Sequence, residues 1–359
     1  MKKIDIFPFN SFLLPYIRHY NELQNEYIIE NVYVHDKNPM VDKDLSYSCN
    51  GKHVGINAKS ISDIYKSSSD ILVVINDNKY IEQDYMYKIF KKAIENDIKV
   101  LFYINKNDGI DDRIWELRKK INGKLDIVYP KYLPNRLLSD KISLQTPVIL
   151  VGGLIDEPDI TELLLRLYIK FTEMNINTAV ITKSLFNLNM NFYNINEIFE
   201  QNNTENDKIK TIKDFVKRIE IDEQPDLILI EAPDPFIEYN EWIGNGYGIK
   251  TYMLSKAVSP DSIVGVMPLE LSTAKFVETV HNYLSRKYDA PLNGTHISNT
   301  IIDSLDAYES GKITYTHAEI NLVNEYIEME KSQSTIPINN VFDDGIQTIT
   351  EAIVNQLAE

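Results

Sequence analysis

Apolar residues along this chain fall into two alternating patterns: short unbroken runs, and longer stretches in which they return at helical spacing. In the first part the runs at 4–9, 31–35, 71–75, 100–104 and 125–129 read as strands, and 81–96 and 111–121 read as helices. Ile71-Leu72-Val73-Val74-Ile75 has the continuous apolarity of a central strand buried on both faces. From 147 onward the same grammar returns. Runs at 148–151, 178–182, 226–230, 262–267 and 295–298 predict strands, and helices are predicted over 207–221, 273–288, 318–330 and 343–357. Ile160, Leu163, Leu164, Leu167 and Phe171 mark a further helical face. Between the two parts, Pro130, Pro134 and Pro147 punctuate a stretch without periodicity, and the section 183–206 is polar and Asn-rich. Strand and helix in alternation build mainly parallel sheets with helices on both faces. The fold class is therefore α/β with two Rossmann-like domains, 1–130 and 147–359, joined by a linker at 131–146, the second domain ending in helices.

Length agrees with two domains, since 359 residues exceed one ordinary core and 43% apolar content fills two. No apolar run approaches a membrane span, and the Met1-Lys2-Lys3 start lacks the apolar segment of a signal peptide, so a cytoplasmic location is expected. Cys49 is the only cysteine, which excludes an internal disulfide and any clustered-cysteine metal site. Cys49 and His53 are too few to hold a metal by themselves, and no metal or cofactor is expected. A net charge of −16 opposes nucleic acid and anionic membranes as partners.

The candidate chemistry gathers in the second part. Residues 147–160 have the outline of a strand, phosphate loop and helix, with Gly152 and Gly153 allowing a tight turn, Asp156 placed to cap the helix and Pro158 in its first turn. The side chains that bind phosphate are missing. A nucleotide-binding loop carries Gly-Lys-Ser/Thr where this chain, counted from Gly152, has Glu157-Pro158-Asp159, and counted from Gly153, has Pro158-Asp159-Ile160. Carboxylates there repel a triphosphate, so the geometry is expected without the ATP chemistry. Glu231 and Asp234 follow the 226–230 strand at its carboxyl end, where an acidic group binds a cation, moves a proton or shapes a turn. Ser255, Ser259 and Asp261 precede the 262–267 strand and are expected to line the same sheet edge as the Gly152 loop. His296 and Asn299, at the end of the 295–298 strand, are expected to face the same crevice. Gly244-Asn245-Gly246-Tyr247-Gly248 has no strand before it and reads as a loop. Near the start, Arg18 is a candidate anchor for a carboxylate or phosphate, with a surface ion pair as the other reading. No Gly-x-Gly-x-x-Gly follows the first strand, which argues against a nicotinamide enzyme of the usual kind.

Taken in order, Ile6-Phe7-Pro8-Phe9 with Pro15 and Arg18, Pro147 to Gly153, Gln224 to Ile230, Gly248, Ala257-Val258-Ser259-Pro260-Asp261 and Ile297-Ser298-Asn299 resemble a family of peptide maturation system proteins. That family is found beside radical SAM maturases of Cys-rich, bacteriocin-like precursor peptides. The second half also resembles a degenerate relative of the dethiobiotin-synthetase-like class of P-loop proteins, from which Glu157-Pro158 departs. The resemblance implies an accessory protein whose partner is a precursor peptide, its radical SAM maturase or both, with no catalytic residues to carry over. The alternative is an enzyme binding a nucleotide or small metabolite in a crevice between the two α/β domains. From the proline punctuation, limited proteolysis is expected to cut within 131–146 before either core is nicked, with the two products resolved by mass spectrometry.

Overall fold

Strand β1 (Lys2–Phe7) lies between two parallel partners, β2 (Tyr27–Val34) and β4 (Ile71–Ile75), and from this pair the first sheet grows outward. The computed structural model describes every residue except 25, 77–81, 122, 132–142, 189 and 359, so most of the expected linker lies outside the described residues. With β3 (Ala58–Ser60), β5 (Lys99–Tyr103) and β6 (Leu125–Val128), the order is β3-β2-β1-β4-β5-β6, every pairing parallel. This is the Rossmann order. All five residues of β4 are buried, as a central parallel strand requires. Helix α1 (Leu14–Leu23) follows β1, and α2 (Gln83–Glu95) and α3 (Asp112–Lys120) flank β5 in sequence. Met86, Ile89, Phe90 and Ala93 give α2 its buried stripe, and the Phe90 ring meets Phe102 edge-on at 5.1 Å.

The chain divides into one unit of Met1–Lys131 with Ser184–Glu197, and another of Tyr132–Lys183 with Ile198–Glu359. The excursion at Ser184–Glu197, which holds the two-residue β9 (Tyr193–Asn194) and the start of α5 (Asn196–Glu200), falls in the section that reads as a polar Asn-rich connection. Its apolar residues explain the placement. Leu185, Phe186, Leu188, Met190 and Phe192 are buried between the asparagines, and the Phe186 ring centroid sits 5.7 Å from Tyr16 and 5.9 Å from Tyr20.

In the second unit β7 (Val148–Gly153), β8 (Thr178–Thr182), β10 (Leu227–Glu231), β11 (Ser262–Pro268), β12 (Leu292–Ser298) and β15 (Ile338–Asn339) run in the order β15-β12-β11-β7-β10-β8, all parallel. Helices α4 (Pro158–Glu173), α6 (Glu205–Glu223), α7 (Ile249–Val258) and α8 (Ala274–Tyr288) connect the strands, and α10 (Ile320–Lys331) and α11 (Gly345–Leu357) close the chain. After β12 comes an antiparallel pair, β13 (Thr300–Ile302) and β14 (Tyr315–His317), with α9 (Ser304–Ser310) between them. Strands this short carry no periodicity, so the pattern of apolar residues does not announce them. Among the described residues no helix is long and apolar enough to cross a membrane.

Gly152 and Gly153 are strand residues, which corrects the expected tight turn. Gly152 pairs with Gly265 of β11 and Gly153 with Val266, and both glycines are buried. Their small size serves packing. A Cβ on Gly152 would lie 2.7 Å from both the Ala232 Cβ and the Phe236 ring, and one on Gly153 would lie 3.0 Å from the Ile155 carbonyl oxygen and from Ile160 Cδ1. Gly152→Ala is therefore expected to destabilise the protein by about 1–3 kcal/mol through overpacking, read from urea denaturation midpoints. An unchanged midpoint would contradict that packing.

Candidate binding site at the carboxyl edge of the second sheet

Strands β11, β7 and β10 are neighbours and end at one edge, the position at which open parallel sheets bind ligands. In phosphate-binding proteins of this architecture, the N–H groups at the start of the helix after β7 hold the anion. Here Asp156, Glu157 and Asp159 stand at the start of that helix. Glu157 is the N-cap of α4, with extended backbone and no side-chain capping bond. Asp156, expected to cap this helix, instead accepts a hydrogen bond from Lys183 Nζ at 2.5 Å. Burial works against the Lys183 charge, but the Asp156 and Glu231 carboxylates outweigh it and hold the ammonium above its ordinary range.

Asp159 stands where the counting from Gly153 would place a phosphate-binding lysine, and its Oδ2 lies 3.0 Å from His296 Nε2. On its other side, His296 Nδ1 meets the Val341 N–H at 3.3 Å and the Asn339 carbonyl at 3.4 Å. Glu157 is 1% exposed. Its Oε2 accepts from Thr300 Oγ1 at 2.6 Å, while Oε1 is buried without a hydrogen-bond partner. Burial, reinforced by the Asp159 charge, pushes the Glu157 carboxyl up to about 8, against the hydrogen bond from Thr300. Strand β14 adds Tyr315, whose hydroxyl burial and then the Glu157 charge hold above its usual range. It also adds His317, which burial holds below the ordinary imidazole range against the pull of Asp159.

Glu231, fully buried at the end of β10, has both oxygens engaged. Oε1 accepts from Thr161 Oγ1 at 2.9 Å, and Oε2 accepts from Thr182 Oγ1 and from the Lys183 amide at 3.1 Å. An acidic strand end that would face a magnesium ion in a nucleotide site is here satisfied by hydroxyls and an amide. Asp234 caps α7: it accepts from the Thr251 N–H at 2.8 Å, Thr251 Oγ1 at 2.6 Å and the Lys250 N–H at 3.0 Å. Among the described residues no group of three or more His, Cys, Asp or Glu side chains is arranged to hold a metal ion.

The structure brings Gly152, Gly153, Asp156, Asp234, His296 and Asn299 to the carboxyl edge. Asn299 Nδ2 donates to the Ala318 carbonyl at 2.9 Å, and its Oδ1 lies 3.3 Å from His317 Nδ1. Ser255, Ser259 and Asp261 are elsewhere, a correction to the expectation of one shared edge. Because β11 runs parallel to β7, the residue before β11 sits beside the start of β7, and Val148 N donates to Asp261 Oδ2 at 2.8 Å. Ser259 is the left-handed C-cap of α7, and Ser255 Oγ donates back to the Tyr252 carbonyl at 2.8 Å. Arg18 belongs to the other unit, where its guanidinium approaches the Cys49–Gly51 turn: a Cβ on Gly51 would lie 3.5 Å from Arg18 Nη2. Sequence reasoning passed over Lys183, although a lysine directly after the 178–182 strand sits at a carboxyl edge by the same rule that singled out Asp234. It also passed over Thr161, Thr300, Tyr315 and His317, for which spacing gives no signal.

Leu154, Ile237, Tyr239, Asn240, Leu271 and Phe276, with Glu238, line a groove of about 310 Å³. They come from the segments that follow β7, β10 and β11.

Fold and site together define an α/β chain of two Rossmann-like units, the second P-loop-like with its phosphate-binding side chains replaced. Over 99% of its length the chain is similar to a solved DUF1611 family protein from Anabaena variabilis, at a TM-score of 0.64 and 14% identity, with 100% of that protein covered. Lower overlaps are with a plasmid partition protein from Borrelia burgdorferi (TM-score 0.36, 12% identity, 59% of this chain and 100% of that one) and a nucleotide-binding protein in complex with ADP from Archaeoglobus fulgidus (TM-score 0.31, 11% identity, 59% and 88%). No protein-family model and no curated protein matches the sequence.

Glu157 gives this site a pH signature. Its carboxyl binds a proton more tightly in the folded protein than in the unfolded chain, so its contribution is present below the ordinary carboxylate value of 4.5 and is lost as pH rises through about 8. Glu157→Gln is expected to flatten the fall in stability across that window and to be more stable than the parent above pH 8, read from denaturant titrations at stepped pH. Parallel profiles for the two proteins would contradict the assignment.

Proposed function

We propose that the protein is a non-hydrolysing recognition protein, an accessory to the maturation of a ribosomally synthesised peptide, whose partner is the precursor peptide, its radical SAM maturase or both. The observation that carries the recognition role is the acidic lining of this edge: Asp159 on His296, Glu157 on Thr300 and Glu231 on Thr161 and Thr182 stand where a nucleotide site would carry lysine and magnesium. The Asp159 and Glu231 carboxylates at this place disfavour a triphosphate. The partner class comes from the ordered resemblance of Ile6 to Phe9, Pro147 to Gly153 and Ala257 to Asp261 to peptide maturation system proteins. A single cysteine and the absence, among the described residues, of a metal-binding cluster suit a protein that assists radical chemistry performed elsewhere.

One observation favours a second reading, an enzyme acting on a nucleotide or small metabolite. Glu157 keeps Oε1 buried without a partner and a carboxyl that holds its proton near neutral pH, which are the properties of a general acid.

Two assays separate the readings. Purified protein is expected to give no magnesium-dependent turnover of ATP or GTP above a heat-treated control, and isothermal titration with the neighbouring precursor peptide, its maturase or the two together is expected to give saturable binding. Turnover abolished by Lys183→Ala or Glu157→Gln, with no binding to peptide or maturase, would replace the recognition role with the enzyme.

A further inference from the structure

Three adjacent parallel strands deliver the walls of the groove beside Leu154, and those walls are mainly apolar, with Leu154, Ile237, Leu271 and Phe276 facing the space. A volume of about 310 Å³ takes one large side chain with room for part of a neighbour. The segment after β10 continues into a tight turn in which Asn240 Oδ1 accepts from the Trp242 and Ile243 amides at 2.9 and 2.8 Å. Trp242 stands out from that turn, 73% exposed, and Tyr247 follows at 58%. Exposed rings of this size contribute little to folding, and Trp and Tyr are the residue types that anchor partners.

The loop holding them is preset. Asn245, Gly246, Tyr247 and Gly248 all have left-handed backbone, with φ of 44°, 75°, 55° and 64°, a conformation that costs a non-glycine residue roughly 1–2 kcal/mol. The Tyr247 ring lies over Gly244, where a Cβ would fall 2.2 Å from it, and Asn245 Nδ2 donates to the Leu154 carbonyl at 3.1 Å, fastening the loop to the groove wall. Charge around the groove is acidic: Glu238 lines it, Glu241 is exposed in the same turn, and Glu270 precedes the lining Leu271. Two cations stand nearby: Lys287 donates to the Phe236 carbonyl at 2.8 Å and feels the Glu238 charge, and exposed Lys275 precedes the lining Phe276, against the three carboxylates.

We propose that this groove receives a short peptide segment, with an apolar or aromatic side chain entering between Leu154 and Phe276, its neighbour packing on Trp242, and flanking Lys or Arg residues meeting Glu238, Glu241 and Glu270. The proposal rests on the recognition role above and names the segment recognised. Apolar walls select the anchor, and the carboxylates select basic flanks and reject acidic ones.

The test uses the full chain carrying Trp115→Phe, which leaves Trp242 as the sole tryptophan. The probe is an N-acetylated, amidated hexapeptide with Phe-Leu between pairs of lysines. Controls replace the lysines by glutamates, or Phe-Leu by Gly-Ser. A saturable blue shift of Trp242 emission is expected with the first peptide alone, weakening as salt rises. Fluorescein-labelled peptide is expected to bind at least about tenfold more weakly to Trp242→Ser and to Leu271→Lys. Because Trp242 is exposed, Trp242→Ser is expected to keep the parental melting temperature. Absence of a saturable shift, equal binding of the glutamate peptide, or undiminished binding to Trp242→Ser would each overturn the proposal. So would a concentration-dependent dimer lost in Trp242→Ser without peptide binding, since the face would then pair with a second copy of the chain. If precursor or maturase binds Trp242→Ser as well as the parent, the groove assignment falls and the recognition role stands. If the basic peptide binds while precursor and maturase do not, the groove stands and the maturation role falls.

Discussion

A carboxylate shut away from solvent needs donors around it, and the burial of Glu231 among Thr161, Thr182 and the Lys183 amide governs how the second sheet's carboxyl edge is built. Those partners come from α4, from the end of β8 and from the residue just after it. One side chain therefore fixes the start of a helix against two strand ends. Removing any hydroxyl leaves a buried charge with fewer donors, so the arrangement resists loss of its parts. The same accounting extends across the edge. Asp156 is held by Lys183, Asp159 by His296, and Glu157 by Thr300 and a retained proton.

This edge separates two chemistries that a nucleotide-binding protein would combine. The deep part, at the start of α4, is acidic and occupied by the chain's own partners, with β12, β13 and β14 supplying His296, Thr300 and His317 around it. The outer part is apolar and open, between Leu154 and Phe276. The left-handed backbone from Asn245 to Gly248 lies beside that outer part, with its conformational cost at Asn245 and Tyr247.

The layering of the fold was legible because its cause is local. Continuous apolar runs such as Ile71 to Ile75 and Val148 to Val151 describe strands covered on both faces, and the stripes at Met86 to Ala93 and Ile160 to Phe171 describe helices lying on them. Strand neighbours are not written locally, which is why Asp261, near in sequence to a site strand, lies at its far end beside Val148. Glycine carried the same ambiguity. Gly152 and Gly153 read as turn residues, and the rings and methyl groups that need their missing side chains come from residues as distant as Phe236. Loss of the phosphate-binding lysine was visible in the sequence, but what replaces it was not. The answer depends on Lys183 and His296 arriving from other strands, and spacing along a chain does not encode such meetings.

Equilibrium binding of Mg·ADP and Mg·ATP decides whether the carboxylates around the start of α4 exclude a nucleotide's phosphates. No saturable heat is expected in isothermal titration of the intact protein at neutral pH and low salt. Stoichiometric binding of either nucleotide, weakened by Asp159→Ala rather than strengthened by it, would contradict exclusion by these carboxylates.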